Sequence, residues 1–370
     1  MTTKSKEGRL LSIDTLRGFD MLFISGGGTF LVLLKGKTGI GFIDVIADQL
    51  HHVPWNGFVF YDFIMPLFLF ISGVSISFSL TKGQSMGLTK PELYKKVFTR
   101  MLILIGLGII YKNSPVQFFD LSAIRFGSVL GRIGIACFAT AILFLNYSWK
   151  TRLYFIGGIL LSYYAAMFLI PVPGFGAGDL SMEGNLVGWF DRTFLPGRLK
   201  DGGIYDELGL LTQIPALCIA VFGSIAGDIL RRDESGNKKT IILVIGGVAA
   251  VAISLLWDMH FPINKKLWSS SFIMLTSGLG FLILALFYWV IDVKGYKKWT
   301  FFFKVIGVNS LTVYFVYHFV NFRQMSQMLI GGLYAPLSED WQPVIQIFGA
   351  WVLVWLFLYF LYKKGIFIKI

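Results

Sequence analysis

Two adjacent histidines open the segment with the most chemistry in the chain, His51-His52-Val53-Pro54-Trp55-Asn56-Gly57, and Tyr61-Asp62-Phe63-Ile64-Met65-Pro66 follows. The whole sequence has only four histidines. Imidazole titrates near neutrality, so one of this pair could take a proton from an amine or hydroxyl. It could equally carry an acyl group. Asp62, ten residues on, could orient a ring or pair with a cation. A histidine beside a tryptophan at a membrane interface can also be a plain anchor, and that reading suits His51 better than His52.

Other residues gather chemistry less sharply. Pro262-Ile263-Asn264-Lys265-Lys266-Leu267-Trp268-Ser269 puts Asn264, Lys265 and Trp268 in a short turn suited to sugar recognition, though a solvated turn would read the same. His260 just before it fits an interfacial position. Asp14 and Arg17 are three apart and can pair on one helical face; alternatively Arg17 faces a cavity and grips a phosphate through bidentate hydrogen bonds. Arg132, in Gly131-Arg132-Ile133-Gly134, has no acid within four residues. Its partner is therefore a distant carboxylate or an anionic ligand. Asn309, Tyr314 and His318 fall at i, i+5 and i+9, which is no single helical stripe, and each could simply bond neighbouring helices. Gly26-Gly27-Gly28 predicts either a helix break or a small-residue packing face.

The elements that position these residues follow from composition. Of 370 residues, 55% are hydrophobic and a further 41 are glycine, while only 15% are charged. Soluble domains run to about 45–50% apolar and about a quarter charged, so a water-soluble enzyme is excluded. The 36 phenylalanines and 10 tryptophans exclude disorder. A bilayer-spanning helix needs about 20 apolar residues, and ten candidates occur, near 14–34, 58–80, 97–112, 127–146, 152–170, 208–230, 240–257, 268–291, 300–321 and 343–362. Runs such as Phe281-Leu282-Ile283-Leu284-Ala285-Leu286-Phe287 do not alternate, which argues against a β-barrel. The expectation is an all-α, polytopic membrane helical bundle.

Of the 33 basic residues, 20 fall in segments on one side when both termini are cytoplasmic, from Lys4, Lys6 and Arg9 through Arg152 and Arg231 to Lys363, Lys364 and Lys369. Ten fall on the other side, and Arg17, Arg132 and Lys304 lie within spans. The net charge of +12 is thus a topology signal and not a sign of nucleic acid. Both termini are expected inside, with extracytoplasmic loops near 35–57, 171–207 and 322–342, all in one transmembrane domain covering 1–370. No cleavable signal peptide is expected. Cys137 and Cys218 sit in apolar runs and point to neither a disulfide framework nor a metal site.

The sequence resembles the heparan-α-glucosaminide N-acetyltransferase family, in its bacterial branch within the wider transmembrane acyltransferases. The resemblance rests on Arg9-Leu10-Leu11-Ser12-Ile13-Asp14-Thr15-Leu16-Arg17-Gly18-Phe19-Asp20, on His52-Val53-Pro54-Trp55-Asn56-Gly57 with Asp62 and Pro66, and on Leu130-Gly131-Arg132-Ile133. It continues through Gly209-Leu210-Leu211, Ile214-Pro215-Ala216, Pro262-Ile263-Asn264-Lys265-Lys266-Leu267-Trp268 and Gly307-Val308-Asn309-Ser310-Leu311. These short motifs come in family order and cover nearly the whole chain.

The resemblance implies transfer of an acetyl group from cytosolic acetyl-CoA, as co-substrate and without a metal, to a glucosamine-type amine across the membrane. It implies that His52 is the essential histidine, with Asp62 and Asn56 beside it in the catalytic set. Asp14, Arg17, Arg132 and Asn309 are then expected to hold CoA, and Trp55, Asn264, Lys265 and Trp268 the acceptor. The implied setting is a multi-pass protein of the bacterial inner membrane, among lipid, acting on an amino-sugar or glycan acceptor as a homodimer. Ile24-Ser25 stands where the family pattern leads one to expect an asparagine before the glycine run. By the resemblance, the stretch from Gly28 to His52 is longer than in the animal enzyme, and no counterpart of that enzyme's extra N-terminal luminal segment is expected. His52 could act as general base in a ternary complex or accept the acetyl group transiently. Asn56, Asn264 and the Trp55 or Trp268 indole are candidate donors to a tetrahedral oxyanion. Two rival readings are a secondary transporter of an anionic sugar or metabolite and an O-acyltransferase of cell-surface polysaccharide. The first would often show two similar halves, and 1–170 and 208–370 show no such repeat.

Overall fold

The computed structural model describes residues 10–117, 119–200 and 203–368. Lys4, Lys6, Arg9 and Lys369, which entered the charge count and the family motif, lie outside these residues. Helices dominate, and among the described residues there are two isolated β-bridges and no strand. In chain order they are α1 (Leu11–Leu22), α2 (Gly28–Leu33), α3 (Gly41–Asp48), α4 (Phe60–Ser85), α5 (Lys90–Lys112), α6 (Val129–Asn146), α7 (Trp149–Leu169) and α8 (Leu186–Phe194). Then come α9 (Gln213–Arg231), α10 (Gly236–Asp258), α11 (Ser270–Tyr288), α12 (Thr300–Gly307), α13 (Ser310–Phe319), α14 (Phe322–Tyr334) and α15 (Gln342–Lys363).

Local sequence explains six of the starts. Ser128, Ser148, Asn185, Ser235 and Asn321 each accept a backbone N–H of the first turn that follows. Thr89 and Glu92 form a capping box ahead of α5. Such caps satisfy donors that no helix can satisfy for itself.

Among the described residues, eight helical stretches are long and apolar enough to cross a membrane: Leu11–Leu33, Phe60–Ser85, Val129–Asn146, Trp149–Leu169, Gln213–Arg231, Gly236–Asp258, Ser270–Val293 and Gln342–Lys363. The protein is thus a helical integral membrane protein. The two other expected spans take different forms. Residues 300–321 are not one straight helix but α12 and α13, bent by 71°, because Asn309 between them is non-helical, with φ −122° and ψ 35°. Residues 97–112 form the apolar half of α5, whose first half is charged. The expected outer loops at 35–57, 171–207 and 322–342 contain helices α3, α8 and α14.

The chain divides into two compact units, with the boundary falling inside α4 and α11. The first comprises residues 1–52, 59–64 and 286–370. Within it α1 packs on α12 by mutual close approach of backbone. A Cβ at Gly18 would lie 1.8 Å from the Phe303 carbonyl oxygen, and one at Gly307 would lie 2.1 Å from that of Asp14. Phe19, Phe23, Phe60, Phe287 and Phe303 make an aromatic cluster around this contact, with centroids 5.0–6.5 Å apart. The glycine run breaks the first span as a π-turn, where Gly26 takes φ +95°. There the Tyr317 hydroxyl occupies the space that a Gly26 Cβ would need, so break and close packing coincide.

The second unit comprises residues 53–58 and 65–285. Here α4 and α9 meet through Gly73, Gly223 and Gly227. A Cβ at Gly73 would sit 1.9 Å from the Ala220 oxygen, and one at Gly223 would sit 2.0 Å from the Phe70 oxygen. Such small-residue seams let helices approach where lipid offers no hydrophobic drive. Gly134 of α6 likewise faces the backbone of Met101 in α5.

Candidate active site

Each unit carries part of the chemistry. In the first, His52 Nδ1 lies 2.7 Å from Asp62 Oδ1. Asp62 is in the first turn of α4 and only 1% exposed, and its Oδ2 accepts the Val59 N–H at 3.3 Å. Gln49 ties the entry to α4 through its backbone and side chain, bonded to the N–H groups of Tyr61 and Phe60. The His52 ring lies 4.7 Å from that of Tyr61. A carboxylate at Nδ1 keeps the proton there, leaving the Nε2 lone pair as the basic position. With its side chain 42% exposed, His52 combines accessibility with a buried orienting acid. His51 is exposed.

The first unit also holds Asp14, Arg17 and Asn309. Arg17 Nη1 sits 3.6 Å from Asp14 Oδ1, the local pair that the i, i+3 spacing allows, and the Arg17 side chain is 22% exposed. Asn309 is fully buried. Its Nδ2 donates to the Ile366 carbonyl and its Oδ1 accepts from Ile368 N–H, so it fastens residues 366–368 at the α12–α13 bend.

In the second unit Asn264 Nδ2 donates to Asn56 Oδ1 at 2.9 Å. Both amide orientations are determined. Leu267 N–H donates to Asn264 Oδ1 at 2.9 Å, so Asn264 must turn its NH2 to Asn56, and Asn56 must offer its oxygen. That directs the Asn56 Nδ2 donor away from Asn264. Asn264 is wholly buried, whereas Asn56 is exposed. Gly57 N–H donates to the Ile263 carbonyl at 2.9 Å, locking the two loops together, and Trp55 Nε1 donates to the Leu180 carbonyl. Trp55 also meets Tyr205 edge-on at 5.4 Å.

Arg132 lies deeper, 1% exposed. Its guanidinium carbon stands 4.3 Å above the Trp268 ring. Nε donates to Gln213 Oε1 and Nη2 to Thr212 Oγ1, while Nη1 is buried with no partner among the described residues. Trp268 Nε1 is in the same state, and Trp268 is the one non-glycine residue among those described with positive φ, at +50°. A buried N–H left without a hydrogen-bond partner is costly, and residues held in left-handed backbone gather at functional sites. Lys265 is buried, and Lys266 reaches Glu207 at 3.4 Å. Burial acts to raise the Glu207 carboxyl, but Lys200, Lys265 and Lys266 outweigh it and hold it well below the usual range.

The candidates thus fall into accessible residues, His52 and Asn56, and the buried residues that aim them, Asp62 and Asn264. Arg132 and Trp268 stack together, whereas Arg17 and Arg132 belong to different units. Sequence reasoning passed over Asp20, wholly buried with neither carboxylate oxygen bonded among the described residues. It also missed a buried network in which Arg152 and Arg231 share Asp228 while Arg152 bonds Ser224 at 2.6 Å. A signal was present, since Asp228 is the sole acid in the α9 sequence.

Residues 9–184 match the family model described as heparan-alpha-glucosaminide N-acetyltransferase, catalytic. The human protein named heparan-alpha-glucosaminide N-acetyltransferase is 30% identical, covering 98% of this chain and 60% of its own length. The mouse protein of that name is 29% identical, covering 100% and 62%. The similarity to this family runs over nearly the whole chain.

It spans about 60% of the length of these curated relatives. Within the heparan-α-glucosaminide N-acetyltransferase family model fall Asp14, Arg17, His52, Trp55, Asn56, Asp62 and Arg132. Asn264, Lys265, Trp268 and Asn309 lie beyond its end, in the stretch covered by the whole-length similarity.

Proposed function

We propose that this protein transfers the acetyl group of acetyl-CoA to the amine of a glucosamine-type sugar, with His52 Nε2 as the base. The observation that carries the reading is the His52–Asp62 pair, an accessible imidazole whose tautomer is set by a buried carboxylate, in a chain similar over nearly its whole length to an N-acetyltransferase. In the reaction the sugar amine attacks the thioester carbonyl and gives a proton to His52 Nε2. The tetrahedral intermediate collapses as the C–S bond breaks, and the CoA sulfur leaves. Asp62 steadies the imidazolium that forms. The Asn56 Nδ2–H, turned away from Asn264, is a donor of the kind that a developing oxyanion needs.

In this reading the chain makes ten spans with both termini cytoplasmic, a topology that the charge distribution supports, and His52 and the Asn56–Asn264 loops lie on the far side of a bacterial inner membrane. Arg17 then sits at the inner end of α1, suited to CoA phosphates. Arg132 sits at the outer end of α6. Its neighbours Trp268 and Thr212 make it a brace of the Asn264 loop that leaves one N–H for whatever anion arrives there. A homodimer follows from the resemblance.

The decisive experiment incubates purified protein in detergent with radiolabelled acetyl-CoA and a panel of amino sugars, alongside His52→Ala. CoA-dependent N-acetylation that the variant loses is the expected result. No transfer and no CoA binding would end the acetyltransferase reading, and a variant with full rate would end the role of His52.

A further inference from the structure

In the second unit one face of α7 carries a groove of about 600 Å³ with an almost wholly apolar lining. It runs from Thr151 past Gly158 and Ser162 to Ala166, and Leu211 and Ile214, around the start of α9, form the opposite wall. That stretch of helix is about 22 Å long at 1.5 Å a residue, most of the roughly 30 Å of a bilayer's hydrocarbon core. Two hydroxyls on this face are spent elsewhere. That of Thr151 meets Ser148 Oγ at 3.0 Å, and that of Tyr163 donates to the Leu267 carbonyl at 2.6 Å.

The groove is a hollow and not a seam between helices. At Gly73 and Gly223 a Cβ would strike the neighbouring backbone, so glycine there serves close packing. At Gly157 and Gly158 a Cβ would meet nothing within 4 Å. Glycine weakens a helix relative to alanine, and no contact within the chain explains these two. What they leave is a lowered floor on an apolar span, little of which the rest of the chain buries.

The surroundings decide the occupant. At membrane depth a groove open to the bilayer meets lipid tails or another span. A helix about 10 Å across would fill roughly 1,700 Å³ along the same length, so it could seat no more than a ridge of side chains. A hydrocarbon chain fits lengthwise.

The groove also leads to the loop chemistry described above. Ala166 and Leu211 belong to the cluster around Tyr163, Phe261 and Leu267, and Trp55 packs against that same cluster. Leu267 N–H is held by Asn264, which orients Asn56. Leu211 stands directly before Thr212 and Gln213, which hold Arg132. A chain lying along α7 therefore has one end beside the loops that present Asn56.

We propose that this groove seats the hydrocarbon chain of a lipid-linked acceptor, so that the amino sugar arrives on a membrane glycolipid. The proposal rests on the acetyl-transfer reading for the word acceptor, but the groove stands on its own geometry.

The test uses the full-length protein in nanodiscs with methyl and dodecyl glucosaminide as acceptors. Partition into the bilayer concentrates the dodecyl compound for every variant alike, so wild type is compared with Gly158→Leu. Gly246→Leu is the control, on α10, where a Cβ likewise meets nothing within 4 Å. Gly158→Leu should raise the KM for dodecyl glucosaminide at least fivefold over both. Its kinetics with methyl glucosaminide, which has no chain to seat, and its KM for acetyl-CoA should stay within twofold of wild type. Ser162→Leu, one turn on and also exposed, should act the same way, which keeps the test open should Gly158→Leu fold poorly. Without acetyl-CoA, a dodecyl glucosaminide ending in a diazirine should crosslink to α7 in the wild type and not in Gly158→Leu.

Equal effects of Gly158→Leu on the dodecyl and methyl compounds would overturn the proposal. So would crosslinks spread evenly over α7 and α10, which would make the groove ordinary lipid contact. A fall in oligomer mass in Gly158→Leu, read by light scattering, would overturn it in favour of a contact between copies of this chain. Crosslinking confined to α7 and lost in the variant, with no acetyl transfer to any amino sugar, would support the groove while refuting the enzymatic reading.

Discussion

His52 Nδ1 and Asp62 Oδ1 are 2.7 Å apart, with the aspartate 1% exposed and the histidine side chain 42% exposed. The acid meets one ring nitrogen, Nδ1, and so directs Nε2 away from itself. Asp62→Asn preserves shape but presents an amide that can donate to Nδ1, favouring the wrong tautomer. We expect kcat for acetyl transfer to fall by at least about 10²-fold, within the range usual for general base catalysis, with little change in the KM for acetyl-CoA. Steady-state kinetics against Asp62→Glu would check it, and an Asn variant as active as wild type would remove Asp62 from the mechanism.

Asn264 has no surface of its own, so its substitution tests an indirect effect. Asn264→Asp keeps the acceptor for Leu267 N–H but loses the NH2 that Asn56 Oδ1 accepts. The Asn56 amide should then turn its NH2 inward. Acetyl transfer should fall in both variants, with stability lowered in Asn264→Asp by the buried carboxylate and in Asn264→Ala by about 1–3 kcal/mol through unpaired buried groups. Turnover and thermal melting of the two variants, measured side by side, separate these outcomes.

At Gly18 an added methyl group would meet the Phe303 carbonyl oxygen at 1.8 Å. Gly18→Ala should destabilise the α1–α12 contact by about 1–3 kcal/mol or more. Gly246→Ala in α10, where a Cβ meets nothing within 4 Å, should be neutral or stabilising. Apparent melting temperatures in detergent that failed to distinguish the two would contradict this packing.

Acid should act on the loop carboxylates in opposite directions. Burial raises Asp191 to about 6, with Asp206 adding to the effect while the Leu210 and Leu211 N–H groups and Arg132 oppose it. Its contribution to stability is complete below about pH 4, the ordinary aspartate value, and is lost as pH rises through about 6. At most that is on the order of 3 kcal/mol. Glu207 is held low by three lysines, so its contribution is present above about pH 4.3 and is lost as pH falls. Melting curves from pH 2 to 8 should therefore flatten on the neutral side for Asp191→Asn and on the acid side, below about pH 4.3, for Glu207→Gln. Curves parallel to wild type would refute both assignments.

Much of this architecture was legible in the sequence because membrane helices announce themselves by apolar length. The glycine run at 26–28 left a break and a packing face equally open, and only the fold, with φ +95° at Gly26 beside Tyr317, makes it both. The bend at Asn309 was not legible, because it depends on bonds to residues 366–368, far along the chain. At the candidate site, residue type and rarity picked out His52, and spacing offered Asp62. The union of Asn56 with Asn264, 208 positions apart, and of Arg132 with Trp268 could only come from folding. Gly157 and Gly158 looked like any glycines of an apolar span in the sequence, because nothing local shows that no neighbour fills the space beside them.

The grip of Asn309 on the Ile366 carbonyl and the Ile368 N–H has a practical side. Anything fused behind residue 370, such as a reporter, an affinity handle or a surface tether, pulls on a segment pinned to the bend between α12 and α13. Mechanical load or crowding at that point is delivered straight into the interior of the first unit, whose α1 and α12 have no slack at Gly18 and Gly307. Handles are better placed in the exposed turn after α4, around Gly87, where the chain meets no such anchor.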